Sequence, residues 1–296
     1  MKIKSDLSQA TFIIPVRIES EDRLRNIITT CCFLLENFHT TVIVKEVDTK
    51  SVFEEEAFPQ IAEYVEGFTS NLLHVFEKSD DPVFYRMRYL NEMLAVSTTE
   101  VVANYDCDVL LPVSSYLRAK DMIVDGPCDM VYPYGFGNWQ KQVHADDELV
   151  SEFLSNDCDF KILEKKSNDY DAQYGHVQFI KKLAYMDAGM ENENFRGSSP
   201  EDKERFHRFT TLGYNVGRIR DWVYHLEHSR GPNSWPNSVQ GNPYMQENFA
   251  LWERLEKMDR EDLKEYYDTA SYQNKYKNAE VFVDEMGYIK DYHVHS

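Results

Sequence analysis

The run Thr11-Phe12-Ile13-Ile14-Pro15-Val16 is almost entirely apolar, and a polar stretch from Arg17 to Asp22 follows it. A short apolar run that ends in such a turn predicts a buried strand. After the turn, apolar residues recur at the spacing of one helix face: Leu24, Ile27, Ile28, Cys31, Leu34, Leu35 and Phe38. The pattern therefore predicts a strand followed by a helix.

The same alternation continues along the chain. Further strands are predicted at residues 41–47, 71–76, 100–105, 129–132, 175–180, 214–220 and 222–226. Helices are predicted at residues 84–96, 114–124, 146–154, 181–188, 200–212, 244–258 and 260–267. The helix that ends at Leu212 is predicted to start with Ser199 as its cap and Pro200 at its first position. Strands separated by helices predict an α/β fold with a mostly parallel, Rossmann-like sheet flanked by helices.

A long irregular loop divides the sequence near its end. Residues 229–243 contain three prolines and two glycines, which favour loop structure. We therefore predict a main domain over residues 1–242 and a helical C-terminal extension over residues 243–296. The 296 residues suit this division.

The composition excludes several classes of protein. Lys and Arg number 32 against 51 Asp and Glu, and the net charge of −19 disfavours nucleic acid as a partner. No window approaches 18 uncharged apolar residues, so no transmembrane segment is predicted. Residues 1–6 lead into no apolar signal region, and the five cysteines form no CxxC pair. These features favour reduced thiols and a cytoplasmic location.

Two acids follow the strand predicted at residues 100–105. Side chains alternate along an extended chain, so Asp106 and Asp108 are predicted to share a face, where both could bind one divalent cation. The carboxyl ends of strands are also where open α/β sheets bind ligands. Such a pair is more often a solvated turn, and the spacing alone leaves the metal site open as the less common interpretation.

Two histidines, His225 and His228, lie where the strand predicted at residues 222–226 meets the long loop. Imidazoles are common metal ligands. Residues three apart on a strand point to opposite faces, so only one ring is predicted to reach a metal at Asp108. The alternative is an exposed histidine beside a buried one.

Other residues could serve a polar ligand. Glu201 and Asp202 begin a helix, where acids ordinarily complement the helix dipole but could also act as a general base. Phe84 could stack on a base, while Arg17 and Arg86 could meet phosphates. Structural ion pairs are the alternative role of these arginines.

Taken in their order along the chain, five segments resemble the nucleotide-sugar glycosyltransferases of GT-A fold. They are residues 13–17, 84–91, 106–108, 189–202 and 225–230. The later segments look most like the C-terminal region of the β-1,4-galactosyltransferase group and like bacterial and viral relatives of the family 2 and family 7 type. The resemblance covers roughly residues 10–235.

The resemblance implies a role for each matching residue in the binding of a UDP-sugar and Mn2+. Pro15 and Arg17 match the loop that holds uridine, Phe84 matches an aromatic residue on uracil, and Arg86 matches a cation near the diphosphate. Metal ligands are implied at Asp106, Asp108 and His228, with His225 as the second choice.

The resemblance also implies the chemistry. Asp202, in the Glu201-Asp202 pair, matches the catalytic base of an inverting transfer to a saccharide or glycan acceptor. Gly175 and His176 stand where the family usually has a Gly-Gly pair next to the donor sugar, and residues 198–200 replace a Trp and glycines. These departures affect donor and acceptor preference.

The sequence thus predicts a Mn2+-dependent glycosyltransferase that moves a galactose or N-acetylhexosamine type sugar from a UDP-sugar. A catalytically silent nucleotide- or glycan-binding module on the same fold is the first alternative. A metal-dependent phosphoesterase built on Asp106, Asp108 and His228 is the second. The loop at residues 229–243 is a candidate lid, with Trp235 as a possible contact to donor or acceptor, or else a static tether.

Overall fold

The computed structural model describes residues 3–234, 237–283 and 289–294. Its strands are β1 (Ser5–Val16), β2 (Phe38–Asp48), β3 (Leu72–Lys78), β4 (Val101–Tyr105), β5 (Val109–Leu110), β6 (Met130–Tyr132), β7 (Gly137–Val143), β8 (Ser167–Ala172), β9 (Val177–Lys181), β10 (Val216–Arg218), β11 (Val223–Leu226), β12 (Glu280–Val283) and β13 (Ile289–His293). Its α-helices are α1 (Glu21–Asn37), α2 (Phe58–Tyr64), α3 (Arg86–Val96), α4 (Val113–Val124), α5 (Asp147–Ser155), α6 (Phe160–Glu164), α7 (Lys182–Asp187), α8 (Glu201–Leu212), α9 (Ser238–Gly241), α10 (Met245–Leu255) and α11 (Arg260–Asp268).

The main sheet has the order β10-β6-β9-β4-β1-β2-β3. Its pairs are parallel except where β9 runs antiparallel to β4 and β6. Phe12, Ile13 and Ile14 of β1 are fully buried at its centre, and Ile27 and Cys31 of α1 are fully buried against it. The predicted α/β fold with a mostly parallel sheet is therefore confirmed.

A second sheet, of order β5-β11-β7-β8, lies beside the carboxyl end of β4. Strand β11 pairs antiparallel with β5 and parallel with β7. Strands β7 and β8 were not predicted, because their sequences contain no run of apolar residues. The helical segment from Phe53 to Tyr64 was not predicted either.

Two predictions about local structure are wrong. The N-cap of α8 is Pro200, which has no side chain that can cap, and the first helical residue is Glu201. The predicted cap at Ser199 fails because Ser199 has a left-handed backbone (φ 66°).

The C-terminal extension is not only helical. After α11 it forms the antiparallel hairpin of β12 and β13. Its helices pack on α8, where the Tyr267 hydroxyl donates to Glu204 at 2.5 Å. None of the five cysteines, all of which lie within the described residues, forms a disulfide bond, and four of them are buried. Among the described residues, no helix has both the length and the apolar character needed to cross a membrane.

Candidate active site

A cleft with two chambers lies at the carboxyl ends of β1 and β4. The inner chamber has a volume of about 310 Å³, and the outer chamber has a volume of about 630 Å³. Four residues lie at the boundary and line both chambers: Arg86, Asp106, Gly175 and Asp202. Every residue predicted from the sequence to bind the nucleotide sugar or the metal lines the inner chamber: Pro15, Arg17, Phe84, Arg86, Asp106, Asp108, Gly175, His176, His225 and His228.

Three side chains in the inner chamber could hold a metal ion. Asp108, His225 and His228 are buried, and each offers a ligand atom within 4.8 Å of the others. The His228 Nε2 atom lies 3.2 Å from Asp108 Oδ2, and the His225 Nε2 atom lies 3.6 Å from Asp108 Oδ1. One carboxylate and two imidazoles suit Mn2+, Zn2+ or a similar divalent ion.

Hydrogen bonds orient both imidazoles for metal binding. His225 Nδ1 donates to the Glu227 carboxylate at 2.9 Å, and His228 Nδ1 donates to the Ser229 carbonyl at 2.8 Å. Because each Nδ1 donates to an acceptor, each Nε2 is the ring atom that faces Asp108 and would bind a metal ion. Such partners are typical of metal-binding histidines. The donor set therefore fits a divalent cation.

The prediction that only one histidine could approach Asp108 is wrong. Strand β11 ends at Leu226, so the alternation of side chains does not extend to His228. The chain turns beyond the strand and brings the second ring back, with 5.8 Å between the ring centroids of His225 and His228.

The carboxyl group of Asp108 is ionised despite its burial. Burial alone would raise its pKa, but His225 and His228 lie close to it, and Arg23 Nη1 is 3.8 Å away. These neighbours hold the pKa of Asp108 well below its ordinary value. Arg23, near the start of α1, also lines the inner chamber and was missed in the sequence, since nothing in the pattern distinguishes it from a surface arginine.

Asp106 lies outside this three-residue cluster. Its Oδ1 atom accepts a hydrogen bond from Arg86 Nη2 at 2.6 Å, and Arg86 Nη1 lies 3.9 Å from Asp202. Arg86 therefore connects two carboxylates at the boundary of the chambers. A guanidinium in this position can also meet a phosphate.

Asp202 and Glu201 have different surroundings although they are adjacent. Arg205 Nη1 donates to Asp202 Oδ1 at 2.8 Å. Burial would raise the pKa of Asp202, but Arg205 and Arg86 outweigh burial and lower it. Glu201 is 6% exposed, and its Oε2 atom has no hydrogen-bond partner among the described residues. Burial, together with the charge of Asp202, raises the pKa of Glu201 to about 7.

Arg17 and Phe84 form the far side of the inner chamber. The Arg17 guanidinium lies 5.5 Å from the centre of the Phe84 ring and donates from Nε to the Val47 carbonyl at 2.9 Å. Its Nη2 atom is buried without a hydrogen-bond partner among the described residues. A donor left in this state is available to a ligand.

His176 occupies a position that favours glycine. Its backbone is left-handed (φ 68°), and its ring lies between Tyr134 and His225 with Nε2 2.9 Å from Gln140 Oε1. Burial, followed by the nearby His225, lowers the pKa of His176 to about 3, so the ring is neutral. The ring therefore occupies space in the inner chamber that a glycine would leave open.

Part of the candidate lid contacts this chamber. Asn233 Oδ1 accepts a hydrogen bond from the Phe84 backbone at 3.2 Å, and Ser234 Oγ accepts one from Arg23 at 2.7 Å. Trp235 lies outside the described residues. The first part of the loop thus borders the inner chamber.

The sequence matches no protein-family model and no curated protein. Among solved structures, the chain is similar to the mannosyltransferase PcManGT from Pyrobaculum calidifontis in complex with GDP-Man and Mn2+. The TM-score is 0.52 and the identity is 14%, over 90% of this chain and 69% of that one. The chain therefore has a glycosyltransferase-like Rossmann fold.

Proposed function

We propose that the protein is a metal-dependent glycosyltransferase that moves a sugar from a nucleotide sugar to a saccharide acceptor. The observation that carries this proposal is the position of Asp202. Its carboxylate borders both chambers, so one chamber could hold a donor and the other an acceptor. The glycosyltransferase-like fold supports the same conclusion.

The inner chamber is assigned to the donor, which we propose to be a UDP-sugar carrying galactose or an N-acetylhexosamine. Phe84 offers a ring for the uracil base, and Pro15 and Arg17 border the uridine end. Arg86 and Arg23 are the cations available to the diphosphate. Asp106 orients Arg86 through their 2.6 Å contact.

The metal site is assigned to Asp108, His225 and His228. A divalent ion held there, Mn2+ in our proposal, would offset the negative charge that develops on the departing nucleoside diphosphate. Because both imidazoles are already oriented by Glu227 and Ser229, these ligands need little rearrangement to bind it.

Asp202 is assigned as the catalytic base. Its lowered pKa keeps it ionised near neutral pH, and Arg205 fixes the orientation of its carboxylate. It would accept the proton of an acceptor hydroxyl in the outer chamber as that oxygen bonds to the anomeric carbon. The bond from the anomeric carbon to the diphosphate breaks on the opposite side, which inverts the configuration. Glu201 lies beside the base and provides a second carboxyl group in the outer chamber.

One observation favours a silent binding module as the second candidate. The His176 ring fills part of the inner chamber, where a donor sugar would have to fit next to His225. On this alternative the nucleotide binds but no sugar is transferred.

Release of nucleoside diphosphate tests the proposal. The purified protein is incubated with Mn2+ and, separately, UDP-galactose, UDP-N-acetylglucosamine, UDP-glucose and GDP-mannose, with and without a mixture of oligosaccharides. We expect release of UDP that increases with acceptor and stops in EDTA. Binding of UDP without release would support the silent module instead. Release of inorganic phosphate from simple phosphate esters, without any acceptor, would support a phosphoesterase.

A further inference from the structure

An aromatic ring projects into solvent next to the outer chamber. Phe136, in the segment between β6 and β7, is 54% exposed. A single exposed apolar side chain is common and by itself means little. The ring of Phe136, however, lies 6.3 Å from the ring of Tyr174, measured between centroids, and Tyr174 lines the outer chamber. The Phe136 ring therefore meets an aromatic ring of the chamber wall edge to face, which places an exposed aromatic side chain beside the outer chamber.

The backbone beneath Phe136 is held in a defined position. A side chain at Gly135 would collide with the Trp139 ring, since a Cβ there would lie 2.2 Å from it. Gly137 has a left-handed backbone (φ 77°). The intervening Phe136 thus lies in a segment whose path depends on both flanking glycines.

Arg218 and Tyr134 connect this segment to the chamber wall. The Arg218 guanidinium lies 5.5 Å from the Phe136 ring centre and donates to the Gln173 carbonyl at 2.7 Å. The Tyr134 hydroxyl donates to the Gly175 carbonyl at 2.6 Å. Both contacts join the Phe136 segment to residues 173–175, which line the outer chamber.

The outer chamber places neutral polar groups, as well as charged ones, beside these aromatic rings. Gln173, Ser198 and Ser199 line the outer chamber beside Tyr174. The faces of aromatic rings carry partial negative charge and attract the partly positive C–H groups of a sugar ring, while amides and hydroxyls bond its hydroxyl groups. A saccharide has both kinds of surface.

We infer that Tyr174 and Phe136 form a distal saccharide subsite, so that the acceptor is an oligosaccharide rather than a single sugar. Its terminal unit occupies the outer chamber beside Asp202, and the preceding unit stacks on Phe136. This inference rests on the proposed function, because it assigns the outer chamber to the acceptor.

The test compares binding to immobilised glycans of one to four units, in glucose, galactose, mannose and N-acetylglucosamine series, with Mn2+ and UDP present. We expect the wild type to bind the longer glycans of at least one series more tightly than its monosaccharide. Phe136→Ala should reduce that gain by about threefold to tenfold, the scale of one aromatic contact. Phe136→Trp should preserve it.

Phe282→Ala is the matched control, since Phe282 is 48% exposed on β12, in the C-terminal hairpin. It should bind every glycan as the wild type does. Equal binding by the wild type and Phe136→Ala, binding that is independent of glycan length, or binding to none of the glycans would each overturn the inference.

Calorimetry of UDP with Mn2+ on the same proteins separates the two proposals. If UDP fails to bind the wild type, the proposed function is wrong, whereas normal UDP binding without a length effect removes only the distal subsite.

Discussion

Adjacent carboxyl groups at the start of α8 are given opposite proton affinities by their neighbours. Asp202 accepts a hydrogen bond from Arg205 and lies near Arg86, and its pKa is lowered. Glu201 is buried without a hydrogen-bond partner for Oε2 among the described residues, and its pKa rises to about 7. Neighbouring acids whose pKa values are pushed apart are typical of catalytic sites.

We expect Asp202→Asn to lower sugar transfer by about 100-fold or more, the scale of removing a general base. The amide keeps the shape of the side chain, so UDP affinity in the presence of Mn2+ should change little. Steady-state rates and UDP titrations on the same protein check this. Asp147→Asn is the control, because Asp147 occupies the first turn of α5 and is exposed. Normal turnover by Asp202→Asn would show that Asp202 only stabilises the helix.

Above pH 7, the Glu201→Gln variant should be more stable than the wild type. In the unfolded chain Glu201 loses its proton near its ordinary pKa of 4.5, whereas in the folded protein it retains the proton up to about pH 7. Folding stability therefore falls as pH rises through this window, by roughly 3 kcal/mol in total, and then stays level. A glutamine side chain does not ionise, so the variant avoids this loss of folding stability.

Urea unfolding at pH 5 and pH 8 measures the effect of Glu201→Gln. The difference in unfolding free energy between variant and wild type should be larger at pH 8. Glu148→Gln, in the exposed first turn of α5, should show no such change between the two pH values. A pH-independent difference for Glu201→Gln would contradict the raised pKa.

At the level of elements, strand β11 and the residues directly after it supply the two histidines of the candidate metal site. We expect His225→Ala and His228→Ala each to lower Mn2+ affinity by at least about tenfold. Even the mutation of a residue that only hydrogen-bonds to a metal ligand typically lowers the affinity by about that much. Glu227→Gln should have a smaller effect, because it weakens only the hydrogen bond to His225 Nδ1. Calorimetric titration with Mn2+ provides the measurement, with the exposed His144→Ala as control. Unchanged Mn2+ affinity in His225→Ala would indicate that His225 has a structural role and does not bind the metal.

The loop after β11 borders the inner chamber, which we propose to hold the donor, and we expect the loop to close over it. Arg230 is exposed near its start. Trypsin should cut after Arg230 in the free protein and more slowly with Mn2+ and UDP present. Cleavage at Lys165, between α6 and β8, is the internal control and should not change. Equal rates at Arg230 in both states would identify the loop as a static tether.

Strands and helices could be predicted from the sequence where their burial gives a regular pattern of apolar residues. Strand β1 and helix α1 were found from apolar runs and helical spacing. Strands β7 and β8 were missed because they form a partly exposed sheet with polar side chains. For the same reason Gln140, the partner of His176, could not be found. The alternation rule also failed for His228, which lies beyond the end of its strand.

At the scale of the whole molecule, the order of the strands explains why the site is assembled from distant segments. The main sheet places β1 beside β4, so Arg17 and Asp106 follow neighbouring strands. The resemblance in the sequence was enough to group these residues, but the pattern of single residues could not show that Arg205 orients Asp202 or that Arg23 faces Asp108. Such contacts depend on tertiary packing, which local periodicity does not encode.

The second sheet also determines when the proposed metal site can form during synthesis. Strand β5, directly after Asp108, pairs with β11, which carries His225 and is made much later. A nascent chain that has not yet reached β11 has Asp108 but neither histidine. Assembly of the proposed metal site therefore has to wait for most of the chain, and an N-terminal fragment that ends before β11 contains only one of its three ligands.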